Sequence, residues 1–185
     1  VSDLGKHATA LREMEEALAG TDPAMIEGAL RALAHTRQVR FDKARFRPLI
    51  LPHLRSALPS TRLAALYALV NTKAVPEDVD LILPLAEDPE SEVRTSVPHV
   101  LSMITRGDMT GAPGEALLKL LHDPDYRLVV DAMRGVGGMT KVPPDVVDRF
   151  LELGRDKDKR HDILHFALMN LPKSKKVTGS LAYRR

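Results

Sequence analysis

Residues 88–100 read Asp-Pro-Glu-Ser-Glu-Val-Arg-Thr-Ser-Val-Pro-His-Val, and the fold follows from this stretch. Aspartate followed by proline is typical of a helix start, because the carboxylate accepts from an unpaired N–H of the first turn and proline has its φ preset for a helix. Val93, Val97 and Val100 then recur at helical spacing. The stretch predicts a helix that begins at Asp88 and buries its valines.

The same pattern recurs along the chain. Asp-Pro also occurs at Asp22 and Asp123, and equivalent helix starts lie near positions 58 and 158, which gives intervals of 36, 30, 35 and 35 residues. A period of this length indicates stacked helix pairs, each of which can bury its apolar stripe only against its neighbours. We therefore predict an all-α chain of about five antiparallel helix pairs.

Each predicted pair has a first helix and an apolar triad on its second helix. The first helices are predicted at 4–18, 46–58, 76–86, 113–121 and 143–153. The triads are Ile26, Leu30 and Leu33; Leu63, Tyr67 and Val70; Val93, Val97 and Val100; Leu128, Ala132 and Val136; and Ile163, Ala167 and Leu171. Because proline inside a helix removes a hydrogen bond, Pro52, Pro84 and Pro98 predict kinks or shifted boundaries.

An aspartate at the turn, a small hydrophobic residue five positions later and a following arginine are found at Asp88, Val93 and Arg94. This pattern resembles the second helix of HEAT repeats, a group that includes the phycobilisome-lyase-type bacterial repeats. The resemblance covers residues 22–171 and implies an α-α superhelix, a HEAT-like solenoid, with second helices on the concave side. It predicts a single repeat domain at 1–172, followed by a basic tail at 173–185.

Charge is distributed unevenly along the chain. The formal net charge is +2, but residues 37–62 carry +6, the tail carries +5 and the remainder carries −9. Clustered cations release counterions from a phosphate backbone, which makes nucleic acid an alternative partner. The candidate residues for that alternative are Arg37, Arg40, Lys43, Arg45, Arg47 and Arg55. An aromatic content of 4%, an absence of tryptophan and the acidic remainder argue against it.

Catalytic motifs are weak in this sequence. The chain has no cysteine, which excludes disulfides, thiol nucleophiles and thiolate metal sites. His161 and His165 have the i, i+4 spacing of a zinc motif, but Asp162 stands where that motif requires glutamate. We predict no cofactor, no metal site and no enzymatic activity; the alternatives are a DNA glycosylase-like, a lyase-like or a metal-dependent hydrolytic activity.

The predicted function is a non-enzymatic scaffold that presents a curved HEAT-repeat surface to a protein or peptide partner, with acidic partner segments favoured by the arginines. The predicted contacts are Arg62, Arg94, His99, Tyr126, Arg127, Arg134, Arg160, His161 and His165. The arginines have an alternative role as ion-pair partners of the acidic turns. The alternative function is a nucleic-acid-binding HEAT-like protein related to the alkylpurine glycosylases. Since no apolar run of roughly 18 residues and no secretory signal occur, we expect a cytoplasmic protein without a membrane span.

Overall fold

A computed structural model describes residues 3–36, 41–72, 74–135 and 139–155. Over these ranges the chain is helical without a β-strand, and its helices pack against neighbours in sequence, which confirms the predicted all-α fold. The helices are α1 Asp3–Ala19, α2 Pro23–Ala34, α3 Arg47–Ile50, α4 Pro59–Asn71, α5 Val79–Ile82, α6 Ser91–Ile104, α7 Ala112–Leu121, α8 Tyr126–Gly135 and α9 Pro144–Leu153. The predicted fifth triad and the basic tail lie outside the described residues.

The chain divides into two compact units, Val1–Val75 and Pro76–Arg185. In the first unit, α2 packs against both α1 and α4. The triad predicted for α2 is buried there, since Ile26, Leu30 and Leu33 have at most 9% of their surface exposed. Removal of each such side chain from water contributes about 1.5–3 kcal/mol. Packing along this stripe therefore stabilises α2 far more than local helix propensity does.

The helix starts agree with the predicted Asp-Pro pattern only at α2. Asp22 is its N-cap: Oδ1 accepts from the backbone N–H of Ala24 at 2.9 Å, and Pro23 occupies the first helical position. In the second unit the predicted N-cap is wrong by two residues, because α6 begins after Asp88-Pro89-Glu90 with Glu90 as its N-cap, and α8 begins after the corresponding tripeptide. Asp88 accepts instead from the N–H of Glu90 at 2.9 Å. The carboxylate thus forms a turn two residues before the N-cap.

Two of the predicted first helices are interrupted at proline. A 3-10 turn, Ala44–Phe46, leads into α3, and a second 3-10 segment, Leu51–Arg55, follows it. The segments around α5 are Pro76–Asp78 and Leu83–Glu87. The 3-10 geometry begins one residue before Pro52 and Pro84, where the ring prevents an α-helical hydrogen bond. The predicted deviations at these two prolines are confirmed, whereas α6 is continuous through Pro98.

The interrupted helices reveal a repeat that differs from the predicted one. Leu-Ile-Leu-Pro occurs at 49–52 and again at 81–84, a spacing of 32 residues, and α4 and α6 begin with the same spacing. The predicted interval of 30 was therefore short by two residues. Two positions along an α-helix differ by about 200° around its axis, so the prediction selected the opposite side of α4. Leu63, Tyr67 and Val70 are consequently not core residues: Tyr67 is 37% exposed and the other two are half-buried.

With the spacing of 32, the buried valines of α6 correspond to a different set of residues in α4. Val93, Val97 and Val100 have at most 1% exposure, which confirms the triad predicted for that helix. Their equivalents in α4 are Thr61, Ala65 and Ala68, all buried. The side that the predicted register assigned to the core of the first unit therefore faces outward.

The second unit has its own apolar core, formed by α7, α8, α9 and the loop that precedes α7. Its largest fully buried side chains include Met109, Leu117, Leu121 and Met133. Of the triad predicted for α8, Ala132 is buried, Leu128 is half-buried and Val136 lies outside the described residues. Val129, Val130 and Met133 are also buried in that helix. The predicted triad therefore coincides with the buried side of α8 only in part.

Two loops of the second unit are joined by backbone hydrogen bonds. Met109 N donates to Lys141 O at 2.9 Å, and Thr140 N donates to Gly107 O at 2.8 Å. Lys141 also forms an ion pair with Asp108 at 2.6 Å. The side-chain hydrogen bond from Lys141, with those from Thr110, lowers the pKa of Asp108 to about 2. These contacts fix the loop after α6 against the loop before α9.

Candidate functional site

Two of the predicted contact arginines hold the turn that precedes their own helix. Arg62 Nη1 donates to Ser56 O at 2.8 Å and to Ala57 O at 3.2 Å. Arg94 Nη1 donates to Asp88 O at 2.7 Å and to Pro89 O at 3.0 Å. The two arginines and their acceptors are each 32 residues apart. The guanidinium satisfies carbonyl groups that the turn leaves without helical partners, which gives these arginines a structural role.

The two arginines differ in burial. Arg62 is only 9% exposed, and Arg94 is half-buried. The alternative role that we considered for them was pairing with acidic side chains, but the acceptors of these hydrogen bonds are backbone carbonyls. A charged hydrogen bond from a guanidinium to a backbone carbonyl orders the turn that precedes the helix.

The other predicted partner contacts lie in the second unit. His99 is half-buried in α6, Tyr126 packs against the apolar core at the start of α8, and Arg127 is exposed beside it. Arg134 lies in α8, and its side chain is not described. The predicted contacts outside the described residues are Arg160, His161 and His165. Within the described ranges, no group of three His, Asp or Glu side chains is arranged to hold a metal ion.

Some cations of the basic stretch at 37–62 form contacts within the first unit. Lys43 Nζ donates to Thr36 O at 2.6 Å and lies 5.5 Å from the ring centroid of Phe41. Arg45 pairs with Glu15 of α1 and lies over the ring of Phe46. These cations therefore attach the segment before α3 to its surroundings. Of the other residues proposed for nucleic acid, Arg47 is half-buried, Arg55 is exposed, and Arg37 and Arg40 lie outside the described residues.

An open cleft lies between α2 and α4, on the side that the sequence had assigned to the core. Its volume is about 310 Å³. The lining residues are Arg31, Ala34, His35, Ser60, Leu63, Ala64 and Tyr67. Small side chains at Ala34 and Ala64 leave the space that Leu63 and Tyr67 border, so the floor of the cleft is apolar. We call this feature the α2–α4 cleft.

Hydrogen bonds close the gap between the two helices above and below this cleft. Towards the start of α4, Ser60 Oγ donates to Glu27 Oε2 at 2.7 Å. Towards its end, Asn71 Nδ2 donates to Ala34 O at 2.6 Å. Because both bonds join α2 to α4, they set the separation of the helices over the stretch where the cleft opens. The cleft is thus built into the packing of the two helices.

The polar rim of the cleft centres on one carboxylate. Glu27 Oε1 accepts from Arg31 Nε at 2.9 Å, and Arg31 Nη2 lies 2.8 Å from the same oxygen. Hydrogen bonds from Ser60 and then Arg31 lower the pKa of Glu27, so that its carboxylate is ionised at neutral pH. The side chain of Arg31 is still 64% exposed, while that of Glu27 is 25% exposed. The rim therefore presents a guanidinium outward.

Sequence reasoning missed this cleft because it placed Leu63 and Tyr67 in the core. The repeated Leu-Ile-Leu-Pro at 49–52 and 81–84 carries the signal that would have found it. Alignment of the two copies pairs Ala65 with Val97 and moves Leu63 and Tyr67 to the uncovered side of α4. No feature of the sequence marked Arg31 and His35 as cleft residues, because basic residues near the end of a helix are also expected from the helix dipole.

No family model matches the chain, and no curated protein is significantly similar to it. The resemblance to HEAT repeats therefore depends on the residue pattern alone. No helix within the described ranges combines the length and the apolar character that a membrane span requires.

Proposed function

We propose that the protein is a non-enzymatic interaction scaffold of the HEAT-repeat type, and that it holds a protein or peptide partner in the α2–α4 cleft. The observation that carries the proposal is an apolar cleft between two second helices, with Tyr67 37% exposed at its border. Clefts that take a ligand are concave and mostly apolar, with a few polar groups at the rim. The α2–α4 cleft has these features.

Its size favours a side chain of a partner over a separate small molecule. A volume of about 310 Å³ lies at the lower end of the range for small-molecule sites. An apolar anchor from a peptide, flanked by residues that lie along the rim, fits such a space. Tyrosine at the border is also typical of interface positions that contribute most to binding, since the ring buries a large area at low entropic cost.

The HEAT-type assignment is supported by the internal repetition. The interrupted first helix, its Leu-Ile-Leu-Pro sequence, the turn and the arginine that holds the turn all recur after 32 residues. Repetition of a whole helix pair is the pattern of a solenoid, in which each repeat is one supersecondary unit. The α2–α4 cleft lies between the second helices of two consecutive repeats.

Peptide display tests the proposal. Random 12-residue peptides are selected on the full chain, and the same selection is repeated on the Tyr67→Ala and Met25→Ala variants. Met25 is the matched control, because it is apolar, 58% exposed and in the same unit, yet does not border the cleft. We expect enriched peptides to bind the parent chain and Met25→Ala equally, and to bind Tyr67→Ala at least tenfold more weakly.

Circular dichroism of each variant establishes that it is folded, and Leu63→Ser provides a second cleft variant with a half-buried position. Selection without enrichment, or peptides that bind both cleft variants as well as the parent chain, would contradict the proposal.

A further inference from the structure

The charged groups at the rim of the α2–α4 cleft indicate the charge that a bound partner should have. We infer that the cleft takes an acidic peptide segment, in which one aliphatic or aromatic side chain enters the apolar floor and a neighbouring carboxylate pairs with Arg31. This inference rests on the proposed function and adds the chemical class of the partner.

Arg31 has donors that the intramolecular contact does not use. A guanidinium carries five N–H groups in a planar fork. Nε and Nη2 face the Glu27 carboxylate, at 2.9 Å and 2.8 Å respectively. The donors on Nη1 remain for a second carboxylate, and the side chain is 64% exposed. Arginine is the cation best suited to such a carboxylate, because its fork matches the two oxygens.

Glu27 reduces the net charge beside Arg31, but it also orients the guanidinium. Its two oxygens already accept from Ser60 and Arg31, and hydrogen bonds of this kind stabilise the ionised carboxylate where it is. The carboxylate thereby holds the guanidinium at the rim. An incoming carboxylate then meets an oriented donor, which avoids part of the entropic cost of ordering a long side chain.

Arg31 supplies the positive charge at the cleft, and none of the lining residues is acidic. His35 also lines the cleft and is exposed at the end of α2. Charge complementarity of this kind directs an oppositely charged partner to the site and excludes basic ones. An apolar floor beside a cationic rim thus favours a peptide over nucleic acid, which offers phosphates without an aliphatic anchor.

Defined probes test the inference by fluorescence anisotropy on the full chain. Three fluorescein-labelled 12-residue peptides share a central Leu-Phe pair, which is flanked on both sides by aspartate and glutamate, by serine or by lysine. A labelled 20-base-pair DNA duplex is the fourth probe. We expect the acidic peptide to bind at least tenfold more tightly than the serine peptide, and the lysine peptide not to bind. Raised ionic strength should weaken the acidic complex through screening.

Two charge reversals supply the matched comparison. Arg31→Glu should weaken binding of the acidic peptide at least tenfold. Arg12→Glu should leave it within twofold, although Arg12 is also an exposed arginine with an i, i+4 glutamate partner in the same unit. Melting curves of both variants establish that the fold is intact. Equal affinity for the acidic and serine peptides, equal effects of the two reversals, or tighter binding of the duplex than of the acidic peptide would overturn the inference.

Failure of the inference differs from failure of the proposed function. If the selected peptides depend on Tyr67 but lack carboxylates, the proposed scaffold function is supported and the inference of an acidic partner is refuted. Absence of any peptide that depends on Tyr67 would remove both.

Discussion

Replacement of Gly114 by alanine tests the packing of the second unit, and the same replacement at Gly28 provides its control. A Cβ atom at Gly114 would lie 2.2 Å from Met109 O and 2.5 Å from Pro143 Cγ. At Gly28, which is exposed in the middle of α2, a Cβ atom would meet nothing within 4 Å. The two substitutions therefore add the same methyl group to a filled site and to an empty one.

The expected magnitudes follow from these contacts. Overpacking costs about 1–3 kcal/mol, and the upper end applies at Gly114 because the nearest atom is a backbone oxygen. That oxygen cannot move freely, since Met109 N is bonded to Lys141 O at 2.9 Å. Helix propensity favours alanine over glycine by about 1 kcal/mol. We therefore expect a loss of about 2 kcal/mol at Gly114 and a gain of up to about 1 kcal/mol at Gly28 in the free energy of unfolding.

Urea unfolding followed by far-ultraviolet circular dichroism measures both changes. The midpoint should fall for Gly114→Ala and rise for Gly28→Ala, with similar slopes, because neither change alters the surface exposed on unfolding. A midpoint for Gly114→Ala at or above that of the parent chain would refute the close approach of the loop to α7. A large loss at Gly28 would refute the exposed position of that face of α2.

Two further predictions concern charged residues. Arg62→Met should lower the free energy of unfolding by about 2 kcal/mol, because it removes the donor to the Ser56 and Ala57 carbonyls. Arg12→Met is the control and should change the free energy of unfolding by less than about 0.5 kcal/mol. Equal urea midpoints for the two variants would rule out the turn contact. Because the folded pKa of Asp108 is depressed from 3.8 to about 2, its contribution to stability is present above pH 4 and is lost as the pH falls towards 2. The urea midpoint of Asp108→Asn should consequently vary less over this range than that of the parent chain, and parallel curves would contradict the ion pair with Lys141.

The fold class could be predicted from the sequence because its signals are local. Apolar spacing in α2 and α6, Asp22 with its proline, and the prolines at 52 and 84 each act through the first few neighbours along the chain. These signals identified the helices of the described ranges and the interruptions of two first helices. The triads of α2 and α6 were also placed correctly.

The register between repeats could not be settled by the same signals. Asp88 and Asp123 look like N-caps, but their carboxylates form turns two residues before the N-cap, so helix starts inferred from Asp-Pro are early in the second unit. Because the start of α4 was placed correctly at position 58 and that of α6 two residues early, the interval came out two residues short. That error exchanged the buried and exposed sides of α4 and concealed Leu63 and Tyr67 as cleft residues.

The positions of the arginines could also be predicted from the sequence, whereas their roles could not. The sequence placed Arg62 and Arg94 near the start of second helices, where a partner or an acidic turn were both reasonable acceptors. Only the structure shows that their acceptors are the carbonyls of the preceding turn. Nothing in the residue types distinguishes these arginines from Arg31, whose guanidinium is exposed at the cleft.

The sequence by itself determined that the described chain is helical, where most helices lie and which positions interrupt them, because helix formation depends on contacts within about four residues. Tertiary structure decided which side of α4 is covered, where the α2–α4 cleft opens and which arginines remain available at its rim. Those properties depend on how two helices that are distant in sequence pack together, and an error of two residues in the register is enough to exchange the buried side of a helix for the exposed one.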